Sequence, residues 1–195
     1  MVSDCCIALG LQPVVFYEEK GLTAASLTPA GKKVLVTRNE TLFLGKNGSR
    51  VFALGLGDNE ARTWWCEKLL KDGFQLPPIV HPKAWVSPQA KLAVGVFVGA
   101  GAVIQAGAKI AKAALINSNA TVEHHCEIGA GAHIGPGAVL AGLAKVCEKA
   151  MVGAGAVIRD RIKVGKNATV GAGAAVVQDV LDGVTVVGVP AKPIS

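Results

Sequence analysis

From Val86 to Leu181 the chain reads VSPQAK-LAVGVF-VGAGAV-IQAGAK-IAKAAL-INSNAT-VEHHCE-IGAGAH-IGPGAV-LAGLAK-VCEKAM-VGAGAV-IRDRIK-VGKNAT-VGAGAA-VVQDVL, sixteen hexads without an insertion. Every hexad opens on Val, Leu or Ile, and its fifth residue is Ala, Cys, Val or Ile. Two locked positions in six fit neither the helix period of 3.6 nor the two-residue alternation of one long strand. They fit a short strand followed by a turn, and three such units close a triangular coil. The aliphatics point inward from flat faces, and the small residues fill corners where backbones crowd. The Gly that often follows the aliphatic, as at Gly129, Gly135, Gly153 and Gly171, predicts backbone that turns tightly or adopts positive φ. The ninety-six residues make just over five coils of eighteen, a parallel β-helix whose coils bury one another's faces. With no loop leaving the coils, a catalytic group has to sit on them or come from a neighbouring subunit.

Composition sets the class. A chain of 195 residues with 51% apolar content and mean hydropathy +0.43 is not disordered. Aromatics are only 5% while glycines number 24, so small residues are being selected by geometry. The early apolar stretch Cys5 to Leu11 is too short to span a bilayer and has no basic region before it, so neither a signal peptide nor a membrane segment is read. Five cysteines, an odd number without C-x-x-C spacing, suggest neither a disulfide frame nor a zinc cluster, and a reducing cytoplasm fits best. The net charge of +6 is scattered, which suits solubility, with attraction of an anionic small molecule as the alternative to nucleic acid.

Ahead of the repeat the pattern is a small α/β unit. Val14 to Tyr17, Lys33 to Thr37 and Arg50 to Gly55 read as strands. Asp58 or Asn59 caps a helix through Ala61, Trp64, Trp65, Lys68 and Leu69 that Gly73 ends. Pro77, Pro78 and Pro82 mark a linker, so the expected domains are residues 1–78 and 79–195. Gly55-Leu56-Gly57-Asp58-Asn59 lies between strand and helix, where amides favour phosphate or polar ligands, and an ordinary turn explains it as well.

These residues together resemble the sugar-nucleotide acetyltransferases of the PglD/NeuD type, which join a small nucleotide-binding α/β domain to a left-handed parallel β-helix of hexapeptide repeats. The carriers are Gly57-Asp58-Asn59-x-x-Arg62, His81-Pro82-x-Ala84-x-Val86-Ser87, Ile116-Asn117, Val122-Glu123-His124, His133, Ala141-Gly142 and Gly188-Val189-Pro190-Ala191-Lys192. The resemblance implies acetyl-CoA as acyl donor, no metal, a homotrimer and a cytoplasmic enzyme of cell-surface glycan biosynthesis. It implies His124 as general base, a task that suits a side chain titrating near neutrality. His125 joins it at the catalytic position, where the family has Glu. His133, Gly142, Ala154, Ala172, Pro190 and Lys192 are implied to bind the coenzyme. Asn117, Glu18, Glu19, Gly57, Asp58 and Asn59 are implied to hold the sugar nucleotide. The family's opening strand and Gly-rich loop are not seen before Met1-Val2-Ser3-Asp4-Cys5, so the α/β domain reads as truncated, its start as misassigned, or the domain as one that no longer binds a nucleotide sugar in the usual way.

The expected reaction is acetyl transfer to the amine of a UDP-linked amino-dideoxy sugar, with O-acetylation of a sugar such as a sialic acid as the alternative. A γ-type carbonic anhydrase pairs zinc ligands five residues apart, whereas the gaps here are one, eight and nine. A scaffold without catalysis is the third class. Asn117 serves a sugar hydroxyl or caps its own turn equally well.

Overall fold

The computed structural model describes residues 51–194, together with the backbone of two parallel strands, Val15–Tyr17 and Leu35–Thr37. The expectations for Cys5 to Leu11, the opening residues, Glu18 and Glu19 lie outside the described residues.

The parallel β-helix is present. Its strands are two residues long and pair with the strand eighteen residues on, as Thr121–Val122 does with Val139–Leu140. They form three ladders of six, five and eight strands, which are the faces of the triangular prism. Each hexad contributes its first residue to the interior and its sixth, the other strand residue, to the outside. From Val98 to Val176 no first-position side chain is more than 2% exposed, and the fifth-position alanines from Ala102 to Ala174 are equally buried. Each such aliphatic contributes roughly 2 kcal/mol by burial.

The glycines divide in two. Positive φ occurs at the fourth position of every hexad from Gly95 to Gly173, and non-Gly residues there include Asn119, His125, Leu143 and Arg161. Gly129, Gly135, Gly153 and Gly171 stand at the second position and do not have it. They are small because the following coil is close: a Cβ at Gly153 would lie 2.6 Å from the amide nitrogen of Ala172. Close approach, not positive φ, is the reason at that place.

Two boundaries move. The ladder starts one hexad early, at Ile79–Val80 paired with Phe97–Val98. Val180, read as a corner residue, instead bridges Val164, and Val186 pairs with Val170, so the last step is sixteen residues. The chain then returns antiparallel, with Val186 opposite Pro193.

Helix α1, Asn59–Lys71, starts at Asp58, whose carboxylate accepts from the Ala61 amide at 2.7 Å, and Gly73 follows it at φ +81. The strand expected over Arg50 to Gly55 is reduced to one bridge, Val51 to Gln75. Pro77 and Pro78, which follow at once, have no amide to extend the pairing. Leu54, Cys66, Leu69 and Leu76 pack on Ala113, and Ile79, Phe97 and Leu115 cluster with Ala53. The α1 unit therefore covers the lower end of the eight-stranded face.

Arg62 fastens it there. Its side chain is fully buried, and Nε donates to Ala113 O at 2.7 Å. Nη2 donates to Gly131 O and to Asn59 Oδ1, both at 2.7 Å, while Nη1 reaches Leu56 O at 3.0 Å. Burial lowers its pKa to about 10, against the opposing pull of Asp58, so it stays charged near neutrality. Arg62→Ala leaves these carbonyls without a donor and is expected to cost about 3 kcal/mol. Hydrogen exchange should show α1 amides losing protection while the coil amides around Ile134 keep theirs.

Candidate active site

The third position of a hexad is the outermost point of a corner. Every residue on the coil axis above or below it is another third position, so side chains and amides stack along each corner. Backbone amides at this position do not join the ladder, and those of Gly142, Ala154 and Ala172 donate to nothing among the described residues.

His124 occupies the third position at the corner between the six- and five-stranded faces, and Gly142 sits over it in the following coil. A Cβ at Gly142 would lie 2.5 Å from His124 Nε2 and 2.7 Å from Cε1, so a larger residue there would force the ring from this position. The coils are locked in register there by Leu143 N donating to His124 O at 2.9 Å. Beneath them the thiol of Cys126 donates to Ala141 O at 3.2 Å, and burial raises its pKa to about 11, so it remains a thiol. Nδ1 of His124 lies 3.2 Å from Nδ1 of His125.

Neither nearby carboxylate orients the His124 ring. Glu123 Oε2 faces the His124 backbone amide at 3.4 Å. Glu127 points outward from the five-stranded face between Lys145 at 3.2 Å and Lys109 at 3.5 Å, and its pKa is held down chiefly by the hydrogen bond from Lys145.

His133 is a sixth-position residue on the eight-stranded face, between Leu115 and Met151 in the ladder. It is 8% exposed, and its Nε2 faces Asn117 Nδ2 at 3.2 Å. Since that amide nitrogen donates, Nε2 accepts and Nδ1 carries the hydrogen, buried without a partner. Burial, with a smaller contribution from Arg62, lowers the pKa to about 4, so the ring is neutral near pH 7. Asn117 also takes the turn role left open for it, its Oδ1 accepting from Ser118 N at 2.8 Å.

Within one chain, then, the site residues fall at two corners. Asn117 and His133 belong to the corner between the eight- and six-stranded faces, along with Ala154 and Ala172. His124, His125 and Gly142 belong to the next corner, across the six-stranded face. Pro190 and Lys192 are exposed on the returning tail. Gly57, Asp58 and Asn59 line an open cleft of about 360 Å³ with Lys149, Met151, Asn167 and Thr169. Asn59 is largely used in docking, donating to Lys149 O at 3.0 Å.

The sequence reading missed Arg62 as the fastening of α1, although Asn59 and Arg62 stand one helical turn apart. It also missed the cleft, because Lys149, Met151, Asn167 and Thr169 meet only through the eighteen-residue register. No three His, Cys, Asp or Glu side chains converge as a metal site among the described residues, and no described helix is long and apolar enough to cross a membrane.

The repeat family described as Bacterial transferase hexapeptide (six repeats) matches residues 107–142. The acetyltransferase domain of PglB from Neisseria gonorrhoeae, solved with acetyl coenzyme A, is similar at 37% identity and TM-score 0.89, over 99% of this chain and 92% of that one. PerB from Caulobacter crescentus, solved with CoA and GDP-perosamine, is similar at 34% identity and TM-score 0.90, over 100% of this chain and 91% of that one. WeeI from Acinetobacter baumannii matches at 27% identity and TM-score 0.84, over 99% and 91% of the two chains.

The His133 environment has a pH signature. Its folded pKa lies below its unfolded value, so the unfolded chain binds the proton first as pH drops. The neutral-ring stability is present above about pH 6.5, is lost as pH falls toward 4, and changes no further below that. Urea unfolding should register a loss on the order of 2 kcal/mol over this window. His133→Gln, which does not titrate, should remove that part of the slope.

Proposed function

The chain belongs to the sugar-nucleotide acetyltransferases of the PglD/NeuD type, built on the hexapeptide-repeat β-helix, and from that membership we propose that it acetylates an amino sugar carried on a nucleoside diphosphate, with acetyl-CoA as donor. The observation that carries the reading is the His124–Gly142 corner, in a chain 37% identical to an acetyltransferase domain solved with acetyl coenzyme A. PerB, with GDP-perosamine bound, supports a nucleotide-linked amino sugar as acceptor. The UDP-linked acceptor stays the specific proposal, with a GDP-linked sugar and an O-acetyl acceptor as the alternatives that substrate profiling separates.

The corner fits an acyl thioester. Gly142 has no side chain to bar a ligand from its backbone, and its amide donates to nothing among the described residues. Acetyl-CoA supplies an activated acetyl carbonyl that an amine can attack. His124 Nε2 takes the proton from the amine nitrogen as that nitrogen forms its bond to the carbonyl carbon. The Gly142 amide donates to the carbonyl oxygen as negative charge develops there. The tetrahedral centre then collapses as its C–S bond breaks, and the proton taken up by His124 passes to the departing CoA thiolate, leaving the N-acetyl sugar and free thiol. The neutral His133 serves as a hydrogen-bond partner and not as a cation.

A trimer completes the site in this reading. The outward residues of the six-stranded face are Trp85, Val103, Thr121, Val139, Val157 and Ala175, without a charge, and Trp85 and Val157 are about half exposed. The five-stranded face carries Lys91, Lys109, Glu127, Lys145 and Lys163 instead. Copies packed around a three-fold axis through the apolar face bring the His124 corner of one chain to the Asn117–His133 corner of the next. This answers how two histidines nine residues apart, half a coil, act on one acetyl group. Residues 1–78 supply the nucleotide side of the acceptor site, with Gly57, Asp58 and Asn59 at its described edge, and Pro190 and Lys192 stand where the coenzyme's far end lies. A cytoplasmic location follows from the donor.

Thiol release from acetyl-CoA in the presence of UDP- and GDP-amino sugars tests the chemistry. His124→Ala should lower kcat at least a hundredfold while the protein stays folded, and a rate within about threefold of the parent, under roughly 0.7 kcal/mol of barrier, would show that another group is the base. Val157→Glu, which places a charge on the apolar face, should shift the sedimentation coefficient from trimer to monomer. Activity should fall in parallel, because each site needs two chains.

A further inference from the structure

Two histidines at one corner are packed between two glycines. His124 stands in the third position and His125 in the fourth, where the backbone has φ +58. Their ring planes cross at 78° with centroids 5.5 Å apart, and the two Nδ1 atoms face each other at 3.2 Å. In the preceding coil, a Cβ at Gly107 would lie 2.8 Å from His125 Nε2. In the following coil, a Cβ at Gly142 would lie 2.5 Å from His124 Nε2. The pair thus fills the space of two absent side chains, and backbone on both sides fixes where each ring edge points.

Two imidazole nitrogens at that separation bond only if one carries hydrogen and the other a lone pair. If His125 were the donor, Nδ1 of neutral His124 would be the acceptor and its hydrogen would sit on Nε2, leaving no lone pair toward Gly142. If His124 is the donor, Nε2 is free to receive a proton. Glu123 faces the His124 backbone amide and Glu127 is held between two lysines, so neither of these carboxylates competes for Nδ1.

We propose that His125 is a positioning residue that accepts the Nδ1–H of His124 and so holds the base in the tautomer whose Nε2 lone pair faces Gly142. The inference rests on His124 being the base. When Nε2 takes the amine's proton, the Nδ1 hydrogen stays on His124 and remains donated to the neutral His125 ring. The pairing then spans ground and charged states without rearrangement.

The corner position itself supplies safe variants. Gly fills it at residues 101, 107, 131 and 137 and Asn at Asn119 and Asn167, all with positive φ. His125→Gly therefore removes the acceptor with the coil intact, and His125→Asn replaces it with a side-chain oxygen. In nitrogen–proton correlation spectra of the ¹⁵N-labelled full chain, neutral His124 should appear as the Nδ1–H tautomer. His125→Gly should move it toward Nε2–H and lower kcat about tenfold with KM for acetyl-CoA within twofold. His125→Asn should restore the tautomer and most of kcat. A wild-type His124 in the Nε2–H form, or a His125→Gly enzyme with unchanged kcat while His124→Ala is inactive, overturns the proposal. Should His124→Ala retain activity, the base assignment fails instead, and the wild-type spectrum still decides whether His125 sets the tautomer.

Discussion

The amide of Glu123 donates to Leu140 O at 3.0 Å, and that of Glu127 donates to Ala144 O at 3.0 Å, so each hexad gives two hydrogen bonds to the coil that follows. The same register repeats from Ile79 to Val176, and it makes position along the chain equivalent to position in space. A residue eighteen places on is directly overhead. Gly142 covers His124 for this reason alone, as Gly129 approaches the Cys147–Glu148 backbone. The interior is uniform under this constraint, and chemistry is confined to the second, third, fourth and sixth positions.

That constraint also explains which parts could be read beforehand. The first and fifth positions face only one environment, so their residue types repeat and the coil is visible in the sequence. The fourth position is marked by a backbone conformation, positive φ, and Leu143, Lys149 and Arg161 tolerate it alongside glycine, which hides it from inspection. Second-position glycines read as a demand for a tight turn or positive φ, but their cause is the close approach of the coil above. Arg62 was only the last letter of Gly57-Asp58-Asn59-x-x-Arg62; its contacts to Ala113 and Gly131 lie 51 and 69 residues away. The tail departs because the step shortens to sixteen, and nothing in the hexad pattern marks Val180 as a ladder residue.

The candidate residues are spread along the coil for a related reason. A single coil has three corners, and half a coil separates His124 from His133, so the two stand at different corners of one chain. The six-stranded face that lies between them is also the face without outward charges. The two histidines thus stand on either side of a face whose outward residues carry no charge. Burial leaves His133 neutral, whereas His124 stands exposed at its corner.

The returning tail has a role at the other end of the prism. A stack of parallel coils ends on a row of unpaired amides and carbonyls, an edge that another stack could extend. Here Gly188 O receives the Ala175 amide at 3.0 Å, the Ala191 amide donates back to Ala175 O at 2.8 Å, and Ile194 N reaches Thr185 O at 3.0 Å. Pro193, opposite Val186, has no amide to offer outward. The tail covers the edge at Ala175 and Thr185, and that stretch offers its backbone groups to its own chain before it can offer them to another stack.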